Sequence, residues 1–272
     1  MPVVNDIIAL MEHIAPAHLA EEWDNSGLQC GSRNWPVKNI IISLDPTLFV
    51  VKAACDKKAD LLITHHPLIF HPLKNVVLDT PVGKILDLCI RHKLTIFSAH
   101  TNLDSVKGGL NDIFAEKIGL KNINILSYSL NPTEGQMEGQ DGMGRIGKME
   151  NPLTLASLSD KVKAKLKLKT VKVSGALDME VKKVAVCTGS GSGLMKDFFA
   201  SDADVYISGD LKYHDAKDSE IRSRGLIDVG HFASEELMID MLKERLMTLI
   251  KEKGFDIRIE AFHQEADPFN YI

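Results

Sequence analysis

Cysteine is scarce in this chain. Cys30, Cys55, Cys89 and Cys187 are the only four among 272 residues, and no two form a C-x-x-C pair. That usage reads as a reduced, intracellular protein without a thiolate metal site. Long apolar runs are missing as well, none reaching the roughly 18 residues of a membrane-spanning helix. The opening MPVVNDIIALME has neither a basic n-region nor an extended apolar h-region, so the cytoplasm is the expected location. Excess positive charge is absent too: 32 Lys and Arg stand against 37 Asp and Glu, for a net charge of −5 and a pI near 6.1. This balance leaves no electrostatic footprint for nucleic acid. It argues against single-strand binding, whose affinity would fall steeply with salt.

What is present is ordinary globular material, 44% hydrophobic and 25% charged. The length suits one large domain or two of about 100–150 residues. Ile7, Ile8, Met11 and Ile14 recur at helical spacing up to Pro16, and EWDNSGLQ (22–29) is turn-rich. Asn39–Leu44 then reads as a buried strand, 47–57 as a helix, Ala59–Thr64 as a strand, Thr80–His92 as a capped helix and Leu94–Ala99 as a strand. Strands alternating with helices predict an α/β sheet covered on both faces.

The texture changes at NPTEGQMEGQDGMGRIG (131–147), which is polar and glycine-heavy, and its start marks a boundary or crossover. A helix over 154–167, strands at Val171–Val173, Val184–Thr188 and Val205–Ser208, and a helix over 193–200 follow. A helix from Ser234 to about Lys253 and a strand at Phe255–Glu260 close the chain. The expected architecture is therefore two similar α/β domains, with mixed sheets flanked by helices. Residues 1–128 form the first, completed by the C-terminal segment 229–272, and residues 129–228 form the second.

An internal repeat underlies this order. ADLLITHH (59–66) aligns with ADVYISGD (203–210), and the spacing from Ile42 to Ala59 equals that from Val186 to Ala203. The next strand ends alike in both halves, in His100-x-x-x-Asp104 and in His231-x-x-x-Glu235. Ionisable side chains thus fall just past strand C-termini, where open α/β sheets hold their ligands. The first copy offers His65, His66, His100 and Asp104, and the second offers Gly209, Asp210, His231 and Glu235.

Mixed histidine and carboxylate donors suit Zn, Mn, Fe, Co or Ni. Adjacent residues of a regular strand point to opposite faces, so His65 and His66 serve one centre only at an irregular strand end, which Pro67 favours. Two ions about 3.5–4 Å apart lower the pKa of a shared water and stabilise a developing oxyanion. The bland reading is a set of hydrogen-bonded structural histidines. The repeat-related His/carboxylate pairs favour a metal site over it.

THHPLIF (64–70), SAHTNLD (98–104) and GHFASE (230–235) resemble the signatures of a widespread family of homologues of the type 2 form of GTP cyclohydrolase I, also described as NGG-interacting-factor-three-like. EWDNSGLQ, GMGRIG (142–147) and the terminal DPF (267–269) are similar to it too, so the resemblance spans nearly the whole chain. It implies a dinuclear site of two divalent metal ions per subunit, held by His65, His66, Asp104, His231 and a bridging Glu235. It also implies two similar α/β domains and a ring-shaped homohexamer. His100 matches a motif histidine beside the metals, in the role of orienting group or proton carrier. The chain corresponds to the compact form, without the inserted domain of longer members. The expected function is a metal-dependent hydrolase acting on a nucleotide or phosphoester, and opening of the GTP imidazole ring rests on the family name alone. The alternative is a regulatory or scaffold protein whose metals are structural or being delivered.

Other motifs carry less. GMGRIG formally matches G-x-G-x-x-G but lacks the strand-before, helix-after context of a dinucleotide site, so a tight connection into a strand is expected. CTGSGSG (187–193) follows a strand and opens a helix, which allows an anion cradle or a plain turn. Trp23 is expected to pack under its domain, with Asp24 and Asn25 left open between turn and crevice rim. Tyr213 and His214 read as the start of a surface helix or as substrate contacts. Lys161, Lys163, Lys165, Lys167 and Lys169 read as a solvated face.

Overall fold

A computed structural model describes residues 1–128 and 141–270. In chain order the first elements are α1 (Val4–Ile14), β1 (Gly27–Cys30), β2 (Asn39–Ser43), α2 (Leu48–Asp56), β3 (Leu61–Thr64), α3 (Pro81–His92), β4 (Thr95–Ser98) and α4 (Thr101–Ser105). Next come α5 (Leu110–Ile118), β5 (Lys121–Tyr128), β6 (Gly142–Thr154), α6 (Leu155–Leu166), β7 (Lys172–Ser174) and β8 (Glu180–Ser190). The last are α7 (Met195–Ala200), β9 (Val205–Gly209), α8 (Tyr213–Ile221), β10 (Gly225–Asp228), α9 (His231–Glu235), α10 (Leu237–Glu252) and β11 (Arg258–Ala261).

Two compact units result: residues 1–103 with 238–266, and residues 104–237 with 267–272. The cuts fall at 103 and 237, where the sequence reading set 128 and 228. The reason is strand pairing and packing: β5 pairs with β6, and Phe114, Ala115 and Ile118 of α5 join the second unit's core. The proposed boundary segment itself lies largely outside the described residues.

The first unit's sheet has the order β1-β4-β3-β2-β11. β11, β2, β3 and β4 are parallel, and β1 runs antiparallel along β4. NIIIS and LLIT are almost wholly buried, as strands of a parallel sheet covered on both faces must be. Helices return the chain between strands and begin on side-chain caps: Thr47 accepts from the Val50 amide, and Thr80 from Gly83 with Pro81 in the first turn. Their apolar faces close over Ile41, Leu62 and Ile96.

The second unit's sheet has the order β5-β6-β8-β9-β10-β7, parallel from β8 to β10 and antiparallel outside. GMGRIG lies inside β6 and is strand, not connection. A Cβ at Gly147 would stand 3.0 Å from Leu120 Cβ and the Lys121 carbonyl, so glycine lets neighbouring chain approach closely. Arg145 of the same strand is 2% exposed. It pairs with Asp112 at 2.7 Å and donates to the carbonyls of Gly142, Gly144, Ser105 and Val106.

The internal repeat is visible in the backbone. Asp60 accepts from the amides of Lys38 and Asn39, and Asp204 accepts from those of Lys182 and Lys183. The Ala99 amide closes on the Thr64 carbonyl, and the Val229 amide on that of Ser208. The fold class expected from the sequence is therefore observed. Among the described residues no helix is long and apolar enough to cross a membrane.

Candidate metal centre

β3 ends at Thr64, one residue short of the paired histidines. The amides of His65 and His66 both point to the Leu44 carbonyl, each at 3.1 Å. Two successive amides on one acceptor break the strand's alternation, and both rings turn to the same side, with centroids 5.1 Å apart. The Thr64 hydroxyl holds the turn by donating to the His66 carbonyl at 2.8 Å. His100, just past β4, joins them: donor atoms of His65, His66 and His100 all lie within 4.8 Å of one another. The sequence reading kept His100 apart from the ligands; the first unit gathers it with them.

In the second unit, Asp104 and Glu235 flank the end of β8. Thr188 donates its hydroxyl to Asp104 Oδ1 at 3.2 Å. Gly189 has φ +63, and a Cβ there would come within 2.2 Å of Glu235 Oε1, so only glycine lets the carboxylate lie against the strand end. His231 Nε2 approaches Glu235 Oε2 at 3.0 Å, one helical turn along α9.

One pattern ties the histidines together. His65 Nδ1 meets the Ala99 carbonyl, His66 Nδ1 meets Asp45, His100 Nδ1 meets Asp24, and His231 Nδ1 meets Asp210, all at 2.8 Å. Carbonyls and carboxylates only accept, so each Nδ1 carries the proton and, in the neutral ring, Nε2 of His65, His66 and His100 keeps the lone pair, whereas His231 Nε2 lies against the Glu235 carboxylate. Histidine ligands of metals are oriented in this way. Taken unit by unit, the imidazoles of the first and His231 with the buried carboxylates Asp104 and Glu235 of the second are donor types that suit divalent Zn, Mn, Fe, Co or Ni.

The orienting groups are what the residue reading missed or left open. Asp45 sits just past β2, at the same strand-end level as the histidines, and that position was the available signal. Glu265 of the C-terminal tail supports Asp45 by accepting from the Leu44 and Asp45 amides; burial pushes its carboxyl upward against those bonds. Asp24 is resolved from a turn residue into the partner of His100. Burial alone would raise its carboxyl, but hydrogen bonds from His100, Ser26 and Thr101 together hold it well below the usual carboxylate range. Trp23 does not pack under the domain. It is 59% exposed, edge-on to His100, with ring centroids 6.0 Å apart.

Ser192 of the glycine-rich loop donates to the Asp215 carboxylate at 2.6 Å and to the Asp210 backbone carbonyl at 3.2 Å, so acceptors take up the hydroxyl that an anion would need. Cys187 at its start is buried, and that burial, with Asp104 nearby, pushes its thiol up to about 12. Tyr213 opens α8 on the surface, and the α6 lysines surround a buried Leu158–Val162–Leu166 stripe as a solvated face.

An α/β frame whose strand ends carry oriented histidines and carboxylates presents candidate metal-ligand groups of the His/carboxylate class. The family model of Duf34/NIF3 (NGG1p interacting factor 3) matches residues 2–268, and the chain belongs to this family. A Clostridium perfringens relative named GTP cyclohydrolase 1 type 2 homolog is 34% identical, with 99% of each chain covered. The homologue of the same name from Halalkalibacterium halodurans is 29% identical over 365 aligned positions, covering 98% of each, and so carries residues that this chain lacks. Among solved structures, a Bacillus cereus protein related to NIF3 superposes with a TM-score of 0.93 at 29% identity over the whole of both chains. Reduced HcgD from Methanocaldococcus jannaschii gives 0.77 at 32% identity, covering 94% of this chain and 96% of that one.

Proposed function

We propose that this chain is a metal-dependent hydrolase in which His65, His66, Asp104, His231 and Glu235 would hold two divalent ions, with His100 as proton carrier. The observation that carries the reading is the shared orientation of four imidazoles, each held at Nδ1 so that Nε2 is the atom presented. Bound there, two divalent ions would supply Lewis-acid stabilisation of a developing oxyanion and a lowered pKa for water.

His100 takes and returns a proton at Nε2, because Asp24 occupies Nδ1. Asp24 stays ionised at neutral pH, so it stabilises the imidazolium formed when His100 is protonated. Donation by Ser26 and Thr101 keeps that carboxylate from rotating away. The substrate class is a nucleotide or phosphoester; the names of the relatives point to GTP. The reading includes assembly as a homohexamer, which light scattering tests.

The deciding experiment reconstitutes purified protein with Zn, Mn, Fe, Co or Ni, measures bound metal, and assays a panel of nucleotides and phosphoesters. Turnover that disappears in folded His65→Ala and Glu235→Ala, together with their metal, supports the enzyme. In His100→Ala metal is retained and turnover falls about 10²–10⁴-fold. Metal binding without turnover of any substrate would leave the regulatory alternative, and absence of metal after reloading would remove both.

A further inference from the structure

Beside the histidine group the first unit exposes aromatic surface that its core does not use. Trp23 is 59% exposed and Phe70 43% exposed. Their ring centroids lie 5.9 Å apart at an interplanar angle of 52°, and His100 closes the triangle at 6.0 Å from Trp23 and 6.5 Å from Phe70. None of the three pairs is stacked, so no ring has a parallel partner. From His100 the chain of rings continues to His65 and His66, at 5.1 and 5.5 Å.

Exposed aromatic side chains on loops ordinarily lose any fixed geometry, but here the two loops are bonded to each other. Asn25 Nδ2 donates to the Ile69 carbonyl at 2.5 Å, and the Ile69 amide donates to Gln29 Oε1 at 3.1 Å. Gln29 in turn donates to the Asn25 carbonyl at 2.5 Å. Asp24, next to Trp23, is anchored by His100 and Thr101. Asp24 and Asn25 after Trp23 are therefore held by side chains, the Glu21 amide two residues before it donates to Thr101 Oγ1, and Phe70 follows directly on the Ile69 clamp. Such bracing keeps the apolar wall in place in the absence of a ligand, which lowers the ordering cost of binding.

We propose that Trp23 and Phe70 form a stacking wall that takes the planar heteroaromatic ring of the substrate, a nucleobase, and delivers it alongside His100. This inference rests on the hydrolase reading for the chemistry at the histidines, while the wall is a binding element in its own right. The sequence beside Trp23 decides which end of a nucleotide it receives: Glu21 and Glu22 are exposed carboxylates, so the phosphates are repelled and the uncharged ring is accepted. A base stacks on an aromatic face whatever its substituents, so the wall selects a planar ring over a bare phosphoester. Trp23 and Phe70 position substrate; neither exchanges protons.

Tryptophan emission tests the wall without turnover. The chain has two tryptophans, so a full-length Trp35→Phe protein reports Trp23 alone. Expected is quenching by GTP and by guanosine, and no change with tripolyphosphate, which lacks the base. Trp23→Ala, followed by equilibrium dialysis of GTP, weakens binding about 5- to 150-fold, while Trp23→Phe keeps most of it. Both variants should show the parent's metal content and unfolding midpoint.

Quenching that persists when no substrate turns over would keep the wall and discard the hydrolase. Metal-dependent turnover that is unchanged in Trp23→Ala, and as fast on base-free phosphoesters, would overturn the wall and keep the hydrolase. Trp23 emission that follows protein concentration and ignores nucleotide would also overturn it, assigning the aromatic pair to contact between copies of the chain.

Discussion

At the end of β3 the first unit places His65 and His66; at the matching end of β9 the second unit places Gly209 and Asp210. The backbone frames are alike down to the paired amides on Asp60 and Asp204, so the difference lies in what each frame holds. In the first unit strand ends supply imidazoles, and carboxylates from neighbouring loops orient His66 and His100 while the Ala99 carbonyl orients His65. In the second, the aligned position supplies the orienting carboxylate, Asp210, and its imidazole comes from His231. Gly189 stands where the repeat would put the counterpart of Asp45, and the room it leaves is taken by Glu235. Duplication kept the frame while donor and supporter exchanged places.

The largest expected effect separates the units by their cores. Among the described residues, the first unit buries no Lys or Arg, whereas the second is tied internally by Arg145. Arg145→Ala strands Asp112 and four carbonyls, and urea unfolding should show a loss of about 3–5 kcal/mol. A loss below about 1 kcal/mol would mean that the frame does not depend on this pair.

Next comes the Gly189 and Asp45 pair of positions. Gly189→Ala meets both the left-handed backbone and Glu235, and should cost about 1–3 kcal/mol and bound metal with it. Asp45→Ala, at a half-exposed site, should cost under about 1 kcal/mol. Equal losses at the two positions would break the comparison.

The supporters should be worth similar amounts in both halves despite their different origins. Asp45→Asn and Asp210→Asn are each expected to weaken metal binding about 10–100-fold in chelator competition, without unfolding the chain. If only one of them matters, donors and supporters did not trade places symmetrically.

The smallest effect is one of pH. The folded-state carboxyl of Asp24 lies below its unfolded value of 3.8, so its stabilisation is complete above that value and is lost as pH falls through it toward the folded value. Asp24→Asn should flatten this acid limb in metal-free protein, measured by thermal unfolding at stepped pH.

Much of this was open to inspection in the linear chain. The apolar runs of β2, β3 and β8 and the threonine caps are local signals, and local signals survive without neighbours. The repeat and the His/carboxylate donors were legible for the same reason, since each lies within a few residues of a strand end. β6 was misjudged because its glycines are explained only by the chain packed against them, and α5 and β5 were not singled out at all.

Folding decided the rest. Asp24 and His100 are 76 residues apart, and Leu44 and Glu265 are 221 apart, so no spacing rule reaches them. The side to which His66 turns depends on an acceptor in another strand's loop. Whether Trp23 is core or surface depends on what Ile69 and Gln29 bond to. Residue types and their order along the chain were set by covalent sequence; orientation, exposure and the proton's place on each imidazole were set by partners that only the tertiary structure brings within hydrogen-bonding range.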